Sequence, residues 1–345
     1  MKDLSAQDPR LRELERWIAE DLGFDHATIA PASSDASFRR YFRLMRGGES
    51  FIAMDAPPAR ENVGPYLRIA ALLAGIGLNV PRVLACDADR GFVLLSDLGS
   101  RLYLAEFADP GRAPSLIRDA LAALLRMQTA GTALAAARLP PYDREVLMGE
   151  MRLFPEWFLG KHLQVEIDAA ARAMLDRLFG ALVRNAIEQP HTLVHRDYHS
   201  RNLMVTAEDN PGILDFQDAL YGPVTYDLVS LLKDCYIVWP RAQVHDWALG
   251  HRDRLRDHGF ALPHADASFL RWFDLMGMQR HLKVLGIFCR LHYRDGKGQY
   301  LLDLPRVLDY VRETAGAYPE AAEFAGYLAG RVEPAFGAAQ GRVSG

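Results

Sequence analysis

The sequence predicts an α+β fold with two lobes, a small β-rich lobe at the N-terminus and a larger, mostly helical lobe after it. Residues 28–95 contain short β-type runs separated by turn residues, whereas helical periodicity dominates from about residue 113. The chain has 345 residues, of which 50% are hydrophobic, and this is enough for two cores. We therefore assign the N-terminal lobe to 1–97, the C-terminal lobe to 98–331 and a flexible, Ala- and Gly-rich tail to 332–345.

The N-terminal lobe is predicted to begin with an amphipathic helix and to continue as an antiparallel sheet. Leu11, Leu14 and Trp17 recur at helical spacing, and Gly-Gly at 47–48 is typical of a tight turn between strands. Small polar residues at 33–37 indicate another turn. The predicted elements are helices at 10–22 and 62–74 and strands at 28–30, 38–45, 50–54, 82–86 and 92–95.

The C-terminal lobe is predicted to be helical, with one short strand pair at 203–205 and 213–214. The predicted helices are 113–131, 143–160, 166–188, 225–237, 240–257, 265–292 and 301–329.

Composition excludes several functional classes. A formal net charge of −4 does not indicate a positively charged surface for binding nucleic acid or an anionic membrane. The three cysteines lie far apart without a CxxC pair, which disfavours a disulfide framework and a cysteine-based zinc site. We find no signal-peptide core and expect no membrane span. These observations predict a cytoplasmic protein, which we expect to be a monomer.

The residues that indicate chemistry lie at 193–217. Asp197 and Asn202 stand five positions apart, and Asp215 follows a short strand pair. Phosphoryl transfer from ATP requires a group that orients the acceptor hydroxyl and takes its proton, and oxygen ligands for Mg²⁺. Asp197 suits the first role, whereas Asn202 and Asp215 suit the second. The predicted cofactors are ATP and Mg²⁺.

The order His195-x-Asp197-x-His199-x-x-Asn202, followed by Asp215-Phe216, resembles the catalytic and metal-binding motifs of the aminoglycoside phosphotransferase and choline kinase branch of the protein-kinase-like superfamily. The resemblance implies a bilobal kinase-like fold. It implies that Asp227 is a buried structural residue that braces the catalytic loop. We expect His195 and His199 to support the loop as well. The resemblance also implies a hinge at 94–99, where Leu95 and Asp97 would lie near the adenine.

The acceptor is predicted to be a small molecule. Asp227 follows Asp215 after only twelve residues, which leaves no room for the long activation segment that supports a peptide substrate. Further segments at 35–43, 54–58, 96–99, 154–158 and 279–286 together resemble the anomeric kinases of cell-wall sugar recycling. That resemblance implies phosphorylation of the 1-hydroxyl of N-acetylmuramate and N-acetylglucosamine. The alternatives are a kinase of another small hydroxyl compound, such as an aminoglycoside or an amino alcohol, and a non-catalytic nucleotide-binding pseudokinase.

The predicted strand at 50–54 lacks the lysine that kinases place near the α- and β-phosphates. Backbone N–H groups can still cradle phosphate, and for this role we assign Ser33, Ser34, Asp35, Ala36 and Ser37. For the missing cation we choose Arg40. It shares a strand face with Phe42 and Leu44, and we expect this more apolar face to line the cleft.

Three residues are candidates for the acceptor site. Glu150 and Trp157 share one stripe of a predicted helix with Phe154, which is compatible either with sugar binding or with a buried face. Arg280, one turn from Lys283, could bind the lactyl carboxylate of a muramate or belong to a solvated face.

Overall fold

The computed structural model describes residues 8–34 and 38–343, which form two compact units. One unit contains the chain up to Arg101 together with Met204–Asp218, and the other contains Leu102–Leu203 and the chain from Ala219 onward. The prediction of a β-rich N-terminal region and a mostly helical C-terminal region is confirmed. The division differs from the boundary predicted at residue 97 because a later segment returns to the first unit.

The first unit is built on one antiparallel sheet with strand order β1-β2-β3-β5-β4. Gly47 and Gly48 both have positive φ and close the hairpin between β2 and β3. The elements are α1 (Pro9–Arg16), continued by a π-helical turn (Trp17–Asp21), then β1 (Thr28–Ser34), β2 (Arg40–Arg46), β3 (Glu49–Asp55), α2 (Val63–Gly75), β4 (Val83–Asp87) and β5 (Phe92–Ser96).

The apolar face of β2 packs against α1. Phe42 and Leu44 are buried there with Leu11 and Leu14. Arg40 is on the same face, as alternation predicts, but its Nε donates to the buried Asp55 at 3.0 Å. The expectation that this face lines the nucleotide site is therefore wrong, because its apolar residues serve the packing of a helix.

The second unit begins with α3 (Tyr103–Glu106), α4 (Ala113–Arg138), α5 (Arg144–Met151), a π-helical segment (Phe154–Leu163), α6 (Ala169–Ile187) and β6 (His191–Val194). The single helix predicted over 143–160 is thus two segments. Helix α4 is long and apolar enough to cross a membrane by length and composition, with a mean hydropathy of 1.2 over an 18-residue window. Its Gln128 donates to the carbonyl of Val224 at 2.8 Å and its Ile117 is fully buried, so we interpret α4 as a core helix.

A short hairpin, β7 (Leu203–Met204) and β8 (Gly212–Ile213), confirms the predicted strand pair. Two backbone bonds attach the segment around it to the first unit. The N–H of Val205 donates to Arg101 O and the N–H of Ile213 donates to Asn79 O, both at 2.8 Å. Periodicity along the chain cannot reveal such a return.

A second strand pair was not predicted: β9 (Leu220–Pro223) pairs antiparallel with β6. After it come α7 (Tyr226–Leu232), α8 (Arg241–Asp257), α9 (Asp266–Asp295), α10 (Leu304–Ala317), α11 (Ala322–Tyr327) and α12 (Glu333–Val343). The tail predicted from residue 332 contains α12, which buries Ala339 and packs its Phe336 ring against Phe158.

Candidate active site

The loop at 195–202 follows β6 and is anchored by Asp227 of α7. This buried carboxylate accepts the N–H of His195 at 2.6 Å and the N–H of Arg196 at 3.0 Å. Burial raises the pKa of Asp227 to about 7, against the opposing effect of these two bonds. Arg196 has a φ of 78°, a left-handed conformation that costs a non-glycine residue roughly 1–3 kcal/mol. Asp227 therefore makes the contacts that a bracing role requires.

The turn after Arg196 brings Asp197 and Asn202 together. The Asn202 side-chain Nδ2 donates to the carbonyl of Asp197 at 3.0 Å, and the N–H of Asn202 donates to His199 O at 2.9 Å. The N–H of Ser200 donates to the buried carboxylate of Asp234 at 2.9 Å. Because its amide nitrogen is used in this way, the Asn202 side-chain oxygen is the atom suited to a cation.

Asp197 is held as a carboxylate by nearby cations. Burial alone would raise its pKa, but the charges of Lys283, Arg280 and Arg196 outweigh burial and lower it. A carboxylate that stays ionised at neutral pH can accept a hydrogen bond or a proton from a hydroxyl group.

The two motif histidines are buried and differ in their contacts. His195 Nδ1 accepts the N–H of Asp197 at 3.2 Å, and its ring packs edge-on against Tyr198. The His199 ring packs edge-on against Tyr236, and burial lowers the pKa of His199. His195 thus touches the backbone of the candidate base directly.

Asp215 lies in the first unit, in the segment that follows β8. It has a φ of 60°, and its Oδ1 accepts Nε2 of Gln217 at 2.7 Å. The neighbouring Phe216 is fully buried and stacks on Tyr66, with ring centroids 4.9 Å apart. Local packing and a strained backbone therefore fix the orientation of this carboxylate.

The chemistry of Asn202 and Asp215 fits a hard cation, since Mg²⁺ prefers carboxylate and amide oxygens. Within residues 8–34 and 38–343, no group of three or more His, Cys, Asp or Glu could hold a metal ion. Each of these residues supplies only part of the oxygens that a bound cation needs. Mg²⁺ commonly obtains them from water and from substrate phosphates.

The model of the phosphotransferase enzyme family matches residues 28–266, which include the anchored loop and Asp215. The chain belongs to this family. Phosphotransferases of this kind act as kinases, which use ATP and a divalent metal.

Curated relatives extend over nearly the whole chain. An N-acetylmuramate/N-acetylglucosamine kinase of Pseudomonas aeruginosa is 47% identical over 334 residues, covering 94% of this phosphotransferase and 97% of the relative. A protein of the same name from Neisseria meningitidis is 44% identical and covers 90% and 92% of the two chains.

Solved structures share the fold at low identity. An ADP-bound aminoglycoside phosphotransferase superposes with a TM-score of 0.57 at 12% identity, covering 88% of this chain and 98% of the other. A choline kinase from Streptococcus pneumoniae gives 0.60 at 10% identity, covering 88% and 99%. The expected fold, that of the aminoglycoside phosphotransferase and choline kinase branch, is confirmed.

In this phosphotransferase, Glu150 does not present a carboxylate for sugar binding. Its Oε1 lies 2.5 Å from Nη2 of Arg196 and 2.9 Å from Nζ of Lys283. Its Oε2 accepts Nε2 of Gln279 at 3.1 Å and the hydroxyl of Tyr142. Burial would raise the pKa of Glu150, but the two cations lower it to about 2. The assignment of Glu150 to the substrate is wrong, because both oxygens are used inside the protein.

The aromatic stripe predicted beside Glu150 is also not a single face. Helix α5 ends at Met151, Phe154 is fully buried against Phe158, and Trp157 is half-buried on the π-helical segment. The role of Trp157 stays a prediction.

Arg280 and Lys283 are both buried, so the solvated-face interpretation is wrong for both. Lys283 is committed to Glu150 and to the hydroxyl of Tyr226, 3.1 Å away. Arg280 is different. Its charge helps to lower the pKa of Asp197. Its Nε and Nη1 have no hydrogen-bond partner in the part of the chain that the structure describes. Arg280 thus has donors for a ligand beside the candidate base.

The residues assigned to the nucleotide lie at several places in the first unit. Ser33 and Ser34 end β1, where they pair with Tyr41 and Arg40, so the predicted turn is shorter than expected. Asp35, Ala36 and Ser37 lie outside the described residues. Leu95 is buried in β5.

Asp97 is held by Arg43. It accepts Nε of Arg43 at 2.6 Å and the N–H of Gly99 at 2.8 Å. Burial would raise the pKa of Asp97, but the hydrogen bonds from Arg43, Ser50 and Gly99 lower it. These contacts fix the chain at the predicted hinge.

The sequence analysis did not identify two residues that hold or extend the loop at 195–202, Asp234 and Arg201. Asp234 holds the backbone N–H groups of Ser200 and Tyr236 at 2.9 and 3.0 Å, and Arg201 stacks on the Tyr236 ring. The signal for Arg201 is its place inside the motif, beside Asn202. Asp234 gives none, since it falls inside the helix predicted over 225–237, where a single acidic residue usually lies at the surface.

Proposed function

We propose that this phosphotransferase transfers the γ-phosphoryl group of ATP to the anomeric hydroxyl of N-acetylglucosamine and N-acetylmuramate. The observation that supports the proposal is the 44–47% identity, over 90% or more of the chain, to kinases named for these two sugars. Asp197 and Asn202, joined by a hydrogen bond in one loop, supply groups that the reaction needs.

Asp197 orients the acceptor hydroxyl and accepts its proton as the bond to phosphorus forms. An anomeric hydroxyl is more acidic than an ordinary alcohol, so a carboxylate with a lowered pKa is a sufficient base. Arg280 donates from its buried guanidinium to an acceptor oxygen near the reacting hydroxyl.

Asn202 and Asp215 are the proposed ligands of Mg²⁺, which when bound neutralises negative charge on the phosphates. We assign the phosphates to the backbone of residues 33–37 and the adenine to the hinge that contains Leu95 and Asp97. Asp227, His195 and His199 support the loop. A cytoplasmic, monomeric protein remains our prediction.

The electrostatics around Asp197 weigh against two alternatives. Lys283, Arg280 and Arg196 all act on this carboxylate, so a polycationic aminoglycoside would meet like charges. A pseudokinase has no need of a half-buried carboxylate whose pKa is lowered by neighbouring cations.

The test is incubation of the purified protein with ATP, Mg²⁺ and each sugar, with the product analysed by ³¹P and ¹³C NMR. We expect a phosphate ester at C1 of both sugars and no product from the 1-O-methyl glycosides. A phosphate at C6 would exclude the anomeric assignment and keep the kinase. Turnover of aminoglycosides or amino alcohols but of neither sugar would overturn the proposal.

A further inference from the structure

Arg201 lies in the anchored loop between Asp197 and Asn202, and its guanidinium is stacked on an aromatic ring. Its Cζ is 3.7 Å from the ring centroid of Tyr236 and 5.8 Å from that of Tyr300. Tyr236 also contacts His199, with centroids 5.4 Å apart. Arg201, Tyr236 and Tyr300 are all half-buried, so this cluster reaches the surface, and its arginine follows the candidate base by four residues in the same loop.

Arg201 differs from the other cations of this region in its partners. Arg196 and Lys283 both bind Glu150, and Lys233 binds Asp274 at 2.7 Å. Among the ion pairs that the described residues form, none includes Arg201. A guanidinium stacked through its face on a ring keeps its N–H donors in the plane, directed away from the ring.

The two proposed acceptors differ by one anionic group. N-acetylmuramate carries a lactyl ether with a carboxylate on O3, and N-acetylglucosamine has a hydroxyl there. A planar guanidinium matches a carboxylate through two parallel hydrogen bonds. Stacking on Tyr236 holds the guanidinium in place before the ligand arrives, which lowers the entropic cost of binding.

We propose that Arg201 binds the lactyl carboxylate of N-acetylmuramate and so sets the relative activity on the two sugars. This proposal rests on the proposed function. Arg280 is less suited to this group. It is 2% exposed and acts directly on Asp197, which places it near the reacting C1 hydroxyl rather than near a substituent on C3.

The experiment measures kcat/KM for both sugars in the wild type, Arg201→Gln and Arg201→Lys, from ADP formation. The informative quantity is the ratio of the two values, muramate over glucosamine, because any general effect on the loop cancels in it. We expect the ratio to fall by about 10- to 100-fold in Arg201→Gln, the range of a hydrogen bond to a charged group. Arg201→Lys should give a smaller fall because an ammonium cannot form the paired bonds.

Two controls complete the design. Arg177→Gln removes the same charge from an exposed pair with Glu323 and should leave the ratio unchanged. Muramate with its carboxylate converted to the amide should be a poor substrate of the wild type and should lose no further activity in Arg201→Gln.

An unchanged ratio, or an equal loss on both sugars in both variants, would overturn the assignment of Arg201 while the proposed function stands. If the wild type phosphorylates neither sugar, the proposed function fails and this inference fails with it. If the wild type phosphorylates only N-acetylglucosamine, this inference fails together with the muramate part of the proposed function, while the assignment as an anomeric kinase of N-acetylglucosamine stands.

Discussion

The buried Glu150 and the half-buried Arg196 form an ion pair, with 2.5 Å between Oε1 and Nη2, that joins helix α5 to the loop of the candidate base. In protein kinases the arginine at this motif position senses a phosphorylated activation loop. Here a carboxylate of the same unit takes the guanidinium, and Lys283 shares that carboxylate. The loop is thus held by a permanent charge pair.

This pair predicts an acid-dependent stability. The pKa of Glu150 is lowered from 4.5 to about 2, so its contribution is complete above pH 4.5 and is lost as the pH falls towards 2. A shift of this size corresponds to about 3 kcal/mol. We expect Glu150→Gln to be less stable than the wild type by about 3–5 kcal/mol at pH 6, since the buried Lys283 and the half-buried Arg196 lose their partner. The difference should narrow by about 3 kcal/mol between pH 5 and pH 2.

Urea unfolding at several pH values measures this difference. Glu323→Gln is the control, because its exposed pair with Arg177 should give a small difference that hardly changes with pH. If the difference in the free energy of unfolding between wild type and Glu150→Gln stays constant from pH 5 to pH 2, the pKa of Glu150 is not lowered by Arg196 and Lys283.

Asp197→Asn should lower kcat by about 10²–10⁴ while folding and ATP binding stay near those of the wild type, since the amide keeps the shape but cannot take a proton. Steady-state kinetics and nucleotide titration check this. Activity within a few-fold of the wild type would remove Asp197 from the role of base.

The metal ligands are tested by a Mg²⁺ titration. Asp215→Ala should abolish turnover at Mg²⁺ concentrations that saturate the wild type, because a carboxylate contributes more to binding than a neutral amide. Asn202→Ala should need more Mg²⁺ but retain some activity. Unchanged turnover of Asp215→Ala at low Mg²⁺ would rule out this ligand.

Arg39 and Arg40 form a matched pair for the missing strand lysine. Arg40 binds Asp55 on the α1 side of the sheet, so Arg40→Ala should lower the free energy of unfolding by about 1–3 kcal/mol and leave the KM for ATP nearly unchanged. Arg39 lies on the opposite face and pairs with Glu61 at 3.4 Å. The charges of Arg39 and Asp215 both affect the pKa of Tyr66. Arg39→Ala should therefore raise the KM for ATP by about tenfold or more. If Arg40→Ala raises the KM for ATP more than Arg39→Ala does, Arg40 is the residue that binds the nucleotide.

The sequence alone determined the order of most elements, with the β6 and β9 pair and the break after α5 as exceptions, and the residue types of the loop at 195–202. Asp197, Asn202 and Asp215 could be proposed as site residues because phosphoryl transfer limits which side chains serve and in what order. Their spacing could be read without any knowledge of contacts. The helices were predictable for a similar reason, since burying one face imposes a period that is visible along the chain.

Tertiary structure alone decided which face of an element is used and which charges meet. Alternation groups Arg40 with Phe42 and Leu44, but only the packing of α1 shows that this face is covered. Glu150 lies far along the chain from Arg196 and Lys283. Its carboxylate is occupied because the loop at 195–202 and helix α9 both bring a cation to it. The physical reason is that periodicity records how strongly a face is buried, whereas the identity of the partner depends on contacts between residues that are distant in sequence.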